Sequence, residues 1–324
     1  MENTMNLHTN KEAFNNAILV TSDNNNIAPD FIEKDYWISL VLKRLSESKY
    51  VDSVVFKGGT SLSKGHKLIN RFSEDVDVAV ILTPGTCGNK IKTLIRTVEK
   101  EIATDLTEKE VDGVTSKGSR FRKAVYEFPV TLTQKQKSAV PESIIVEINS
   151  FANPFPYHKV GIQSMIGEYI QSQGQDELLR NYDLEEFEVN VLDKEQTLIE
   201  KLVSLIRFSF DEKPIESISG KIRHFYDLYY LLQDEACNKY VNSDEFKTQF
   251  RKVLAHDQRQ FDEPTGWNKK TMKDSPLIKD FDSIWEKLKT TYKNELSMLA
   301  YSEIPNEKEV AQKFAALIKI LAKL

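Results

Sequence analysis

Cysteine is scarce in the 324-residue chain: only Cys87 and Cys237 occur, far apart and outside any CxxC spacing. That argues against a disulfide framework and against a cysteine zinc site, and it suits a reducing compartment. No run of about 18 apolar residues occurs, and the opening residues MENTMNLHTNKEAF hold no apolar signal core. Neither a membrane span nor a secretory leader is expected, and the expected location is the cytoplasm. Basic charge is not in excess either. The net charge of −5 does not suit a globally basic nucleic-acid binder, although a local basic groove would be hidden in that sum. Internal repeats and low-complexity tracts are also lacking. What remains is an ordinary globular composition, 40% hydrophobic and 29% charged, in a chain long enough for two domains or one large one.

One stretch stands out, FKGGTSLSKGHKLINRFSEDVDVAV from Phe56 to Val80. Val54-Val55-Phe56 reads as a buried strand that ends in glycines. Gly58 and Gly59 permit positive φ and a close approach of backbone N–H groups to a ligand. Ser61 to Ile69 reads as a helix whose N-terminus suits a phosphate. A Gly-Gly turn alone is more often a plain tight turn. The support lies downstream, in Asp75 and Asp77. If Asp77 to Leu82 is a strand, residues two apart share a face, so the two carboxylates point the same way. Like charges about 4 Å apart repel by roughly 4 kcal/mol at an effective dielectric of 20. A hard, oxygen-seeking cation such as Mg²⁺ relieves that repulsion and keeps positions open for phosphate oxygens. An exposed Asp-rich turn is the plainer alternative. The pattern points to metal-dependent phosphoryl or nucleotidyl transfer.

Around this stretch the chain alternates elements. Helices are expected over Asn10–Leu19, Phe31–Ser46 (capped by Asp30) and Ile91–Asp105, with a turn over Asp23–Asn26. Tyr36 and Trp37 read as packing residues. Alternation over Val125–Leu132 and Ser143–Ser150 predicts strands. In the second of these, Glu147 is an isolated acid among apolar residues, either an edge position or a third carboxylate beside Asp75 and Asp77. The basic run KGSRFRK (Lys117 to Lys123) reads as a solvated loop or strand start, with a phosphate-backbone contact as the sharper alternative. Asn153-Pro154-Phe155-Pro156 marks a break. Glu188–Leu192 offers one more short strand, and helices follow over Lys194–Phe208, Ile222–Leu232, Pro276–Leu288 and Glu307–Leu324, with a loop over His256–Pro276. Lys201, between Leu198 and Leu205, either snorkels or reaches toward phosphates. Arg223 and Asp227 share a helix face, and Tyr226, Tyr229 and Tyr230 suit core packing more than base stacking.

Taken together, FKGGTSLSKGHKLINRFSEDVDVAV, IEKDYWISLVLKRL before it, and EKLVSLIRFS and KIRHFYDLYYLL after it resemble the nucleotidyltransferase toxins of the AbiEii/AbiGii family. These are related to the DNA polymerase beta-like nucleotidyltransferases. The resemblance runs from about Ile32 to Leu232. It implies an α+β fold: a mixed sheet with flanking helices, followed by a mainly helical second half. The domains expected are 1–155, nucleotidyltransferase with N-terminal helices, and 156–324, helical and contributing Lys201 and Asp227 to an active-site cleft. It further implies that Gly58, Gly59, Thr60 and Ser61 form the phosphate-side turn and that Asp75 and Asp77 bind metal, Mg²⁺ or alternatively Mn²⁺. Lys201 would contact nucleotide phosphates, and Asp227 would be the acid of the last motif. Lys64 and Arg71 are further nucleotide-binding candidates, and Glu147 is the candidate third metal ligand. Arg223-His224 stands where many relatives have Arg-Asp.

The expected activity is NMP transfer from an NTP to an acceptor, a tRNA 3′ end, which inhibits translation and growth and is held in check by a cognate antitoxin. Two other readings remain at this stage, modification of a protein side chain and a non-catalytic NTP-binding module.

Overall fold

The computed structural model describes residues 5–73, 75–83, 85–133 and 140–323. Glu74 of the acidic motif and Leu324 of the last predicted helix lie outside them. In chain order, α1 (Lys11–Asn25) and α2 (Pro29–Glu47) precede β1 (Val54–Lys57), a short helical turn α3 (Gly58–Thr60), β2 (Asp75–Val80) and α4 (Gly88–Ile102). Then come β3 (Thr107–Lys109), β4 (Ser116–Lys117), β5 (Phe121–Glu127), β6 (Ser143–Asn149), β7 (Tyr157–Ile162), α5 (Met165–Ser172), α6 (Asp176–Asn181) and β8 (Phe187–Leu192). The remainder is helical: α7 (Lys194–Phe208), α8 (Pro214–Ser219), α9 (Arg223–Leu231), α10 (Glu235–Val241), α11 (Asp244–Gln260), α12 (Pro276–Lys279), α13 (Phe281–Leu299) and α14 (Glu307–Leu321). The expected α+β class holds. By contacts the chain divides into two compact units, Met1–Gly65 with Phe72–Leu192, and His66–Arg71 with Asp193–Leu324. The Asn153–Pro156 break lies inside the first unit, between β6 and β7.

In the first unit the strands form one mixed sheet in the order β3-β5-β6-β2-β1-β8-β7, with β4 paired to β5 off that path. β2 runs parallel to β6, and β1 is antiparallel to β2 and parallel to β8. Period-two alternation decides the two faces. Val76, Val78, Ile144, Val146, Ile148, Ala124 and Tyr126 fall on one face and are buried. α4 packs against that face, and its fully buried Glu99 accepts from the Tyr126 hydroxyl (2.8 Å) and pairs with Arg122. The opposite face carries Asp75, Asp77, Glu147 and Lys123. Tyr36 and Trp37 are core residues as expected, with Trp37 stacked on Phe128 at 5.6 Å between centroids.

In the second unit the core is aromatic. Phe225 of α9 meets Phe314 at 4.8 Å and Trp285 at 5.1 Å, and Phe281 meets Phe314 at 4.8 Å. Tyr226 is fully buried and packs against Tyr230, while the Tyr229 hydroxyl donates to Glu309. These tyrosines therefore serve packing, in line with the commoner role.

Several predicted boundaries move. α1 continues through the Asp23–Asn26 turn and stops where Asn26 takes a left-handed φ of 53°, a conformation its short polar side chain tolerates. The helix expected over Ser61–Ile69 is a single π-turn, Ser61–Gly65, after which Lys67 adopts φ 51° and ends helical geometry. β2 starts at Asp75 rather than Asp77, and β5 starts at Phe121 rather than Val125, so both aspartates lie within a strand and the basic run is split between the end of β4, a connection and the start of β5. His256–Gln260 belong to α11 and not to a loop. Strand β7 was not anticipated, because His158, Lys159 and Gly161 mask its alternation.

Candidate active site

Asp75 and Asp77 are placed by the β2 pleat on the face opposite the buried valines. The sheet register then sets their neighbours. Lys57 of β1 lies opposite Asp77, Asp77 lies opposite Glu147 of β6, and Glu147 lies opposite Lys123 of β5. Directly paired residues project to the same side, so one row crosses four strands as Lys57, Asp77, Glu147, Lys123. Asp75 sits two residues along from Asp77 on the same face. The Lys123 ammonium pairs with Glu147 at 3.4 Å. Removal from water, then the charges of Glu147 and Asp75, push the Asp77 carboxyl up to about 8; Lys57 and Lys123 pull it back. Lys123 is itself held above its ordinary value: burial works against its charge, but Asp75, Glu147 and Asp77 outweigh that.

The glycine turn is built around Asp77. Gly58 has φ +83°, and a Cβ there would lie 2.1 Å from Asp77 Oδ2 and 2.9 Å from its Cγ. No side chain other than hydrogen fits. Thr60 and Ser61 are buried, and their hydroxyls close the turn: Thr60 donates to the Asp75 carbonyl and Ser61 to the Gly58 carbonyl (2.9 Å). Lys64 pairs with Asp35 of α2, which also accepts from the Met165 N–H (2.7 Å). Of the nucleotide-binding candidates in this segment, Thr60 and Ser61 bond within the turn and Lys64 pairs with Asp35. A Gly58→Ala variant is expected to lose about 10²-fold in transfer rate through displacement of Asp77, with about 1–3 kcal/mol of backbone strain in addition. Single-turnover rates and thermal melts read the two effects separately, and a fully active variant would refute the contact.

A second cluster lies wholly in the second unit. Arg71 donates to Asp227 through Nε to Oδ1 and Nη2 to Oδ2, both 2.7 Å, and the Lys201 ammonium lies 2.7 Å from Asp227 Oδ2. All three residues are buried. Burial alone would raise the Asp227 carboxyl, but the Arg71 and Lys201 charges outweigh it and hold the group far below the usual carboxylate range. Asp227 is thus held in its ionised form near neutral pH, with both oxygens engaged as a clamp for two cations. Of the alternatives for Lys201, simple snorkelling does not describe it. Burial and the Lys201 charge keep the neighbouring His224 neutral. A carboxylate at that position would cancel the cluster's net positive charge; a neutral imidazole preserves it.

The basic run KGSRFRK is divided by the pleat. Lys117 pairs with Glu108, Arg122 with buried Glu99, and Lys123 with Glu147. It is not a continuous phosphate-binding surface. Among the described residues no three His, Cys, Asp or Glu side chains converge as a metal cage. The Asp75–Asp77 pair nevertheless fits a hard divalent cation, because such an ion would offset the burial and carboxylate repulsion that hold Asp77 up.

A sequence profile described as nucleotidyl transferase AbiEii toxin, type IV TA system, matches residues 40–317. The chain belongs to the AbiEii toxin family. It is a nucleotidyltransferase toxin of a type IV toxin–antitoxin system. The resemblance seen in its motifs is borne out over most of its length. The toxin's fold is also similar to that of MenT4, a nucleotidyltransferase toxin from Mycobacterium tuberculosis H37Rv, with a TM-score of 0.55 and 13% identity. That alignment covers 95% of this chain and 90% of the other. At such low identity the likeness concerns the fold alone. No curated protein matches the sequence. No helix among the described residues is long and apolar enough to cross a membrane.

Proposed function

We propose that the toxin transfers a nucleoside monophosphate from an NTP to the 3′ end of a tRNA in a Mg²⁺-dependent reaction, and that a cognate antitoxin restrains it. The observation that carries the chemistry is the Asp75–Asp77 pair, with Asp77 packed onto Gly58 and pushed up to about 8 by burial and then by its carboxylate neighbours. Mg²⁺ bound to this pair would neutralise phosphate charge and favour in-line displacement at the α-phosphorus. Asp75 and Asp77 hold the ion, and the turn from Gly58 to Ser61 fixes Asp77. Lys201 keeps the chemistry that a phosphate contact needs: an ammonium has three donors, and Asp227 takes one of them. Asp227 orients Lys201 and Arg71 for that contact. The tRNA acceptor and the antitoxin rest on resemblance to the family, so the acceptor is what the experiment addresses.

Purified toxin is incubated with each labelled NTP in turn, Mg²⁺ and total tRNA. Label is expected on RNA with at least one nucleotide and is expected to vanish with EDTA. Failure with all four would sink the tRNA assignment. Label appearing instead on a partner protein would move the acceptor to a side chain while keeping the chemistry.

A further inference from the structure

The cross-sheet row contains two lysines that no part of the transfer chemistry above uses. Lys57 and Lys123 flank Asp77 and Glu147 at either end, and Asp75 lies beside them. With all five ionised, two ammonium groups stand against three carboxylates and the net charge is only −1. Glu147 has two neighbours of opposite sign to choose between, an acid on β2 and a lysine on β5. It pairs with the lysine, at 3.4 Å. The consequence is visible in the acids: although Glu147 is near enough to raise Asp77, no three carboxylates converge as a cage among the described residues.

We infer that Lys123 is a positioning residue that withholds Glu147 from the metal site, so that a divalent cation binds to Asp75 and Asp77 only when the triphosphate supplies further oxygens. The inference rests on the reading of Asp75 and Asp77 as metal ligands. Its physical basis is simple. Two carboxylates offer a hard cation few ligands and modest charge, whereas three offer a site that holds the ion without nucleotide. A resident ammonium beside the third acid costs little and suppresses that nucleotide-free site. The toxin then takes its metal together with its substrate. In this state the partner of Glu147 is Lys123.

The test is Mn²⁺ binding, followed by electron paramagnetic resonance of the free ion, with and without a non-hydrolysable NTP analogue. Wild type is expected to bind Mn²⁺ weakly alone and at least tenfold more tightly with the analogue. Lys123→Met frees Glu147 and is expected to tighten nucleotide-free Mn²⁺ binding at least tenfold. Lys123→Gln, a polar substitution, serves as the second variant should Met disturb folding, and the same tightening is expected. Adding Glu147→Gln to either variant is expected to restore wild-type weakness, and Lys123→Arg to leave it unchanged. A natively melting Lys123 variant with unaltered Mn²⁺ affinity overturns the inference while leaving the aspartate assignment standing. Tight binding that persists in the double variant overturns it as well. If wild type takes up no Mn²⁺ even with the analogue, the metal reading of Asp75 and Asp77 falls, and this inference with it.

Discussion

Asp77→Asn is expected to abolish nucleotidyl transfer while stabilising the metal-free protein at alkaline pH. The loss of activity follows from removing a charge that holds a cation at the phosphates. Such stabilisation is worth several kcal/mol, so a drop of about 10³-fold or more is expected. The gain in stability follows from the proton balance. Folded Asp77 keeps its proton up to about pH 8, whereas in the unfolded chain an aspartate releases it near pH 3.9. Between those values the native state binds more protons, so stability falls as pH rises. The variant lacks this slope. Thermal melts in EDTA are expected to give equal stability for the two proteins near pH 4 and an advantage to Asp77→Asn at pH 9, on the order of a few kcal/mol. In wild type, Mg²⁺ with an NTP analogue is expected to recover that difference. Identical pH profiles would show that Asp77 does not bear the repulsion the row implies.

Asp227→Asn is expected to be the most destabilising of the conservative changes. It removes the one anion that Arg71 and Lys201 share, with all three groups buried. Breaking a buried ion pair from one side costs about 3–5 kcal/mol, because the remaining charges lose their partner without regaining water. The pH dependence runs opposite to that of Asp77. Asp227 is depressed in the folded state, so its contribution is fully present above about pH 4 and is lost as the pH falls. Urea titrations are expected to show a large difference between wild type and variant at pH 7 that shrinks toward pH 3. Transfer is expected to fall as well, with KM for NTP rising more than kcat falls, since both Asp227 oxygens are engaged by Arg71 and Lys201. If instead kcat alone collapsed and stability were unchanged, Asp227 would be acting as a base, against the engagement of both its oxygens.

The candidate residues appear in the sequence in order: glycine turn, then Asp75-x-Asp77, then a lysine and an acid on later helices. Spacing alone showed that Asp75 and Asp77 share a face, because the period of a strand is local. The amphipathic helices α4, α7 and α14 were legible for the same reason, their apolar residues recurring within single turns. What spacing could not show is which strands lie side by side. Lys123 is 46 residues from Asp77 in the chain, and Lys57 precedes both acids by a turn. Nothing local marks these lysines as members of one row. The basic run around Lys123 even suggested a shared role for residues that the pleat sends to opposite faces.

The same limit applies to Arg71. From sequence it was a cation in a polar segment, and a nucleotide contact was the natural expectation. In the fold the short segment His66–Arg71 packs with the helices that begin at Asp193, and Arg71 meets Asp227 across 156 positions of chain. The i to i+4 relation of Arg223 and Asp227 pointed to the wrong arginine, since neighbours on a helix face are easy to infer and partners brought by long-range packing are not.

The sequence by itself determined the family, the α+β class, the turn that needs a residue without Cβ, and the placing of two aspartates on one strand face. Those are consequences of backbone geometry over a few residues. Only the tertiary structure decided that Glu147 pairs with Lys123, that Asp227 clamps two cations, that Thr60 and Ser61 bond within the turn, and that Lys64 pairs with Asp35. Each depends on strand register or on buried charge seeking a counter-charge from distant chain, and neither is written in local spacing.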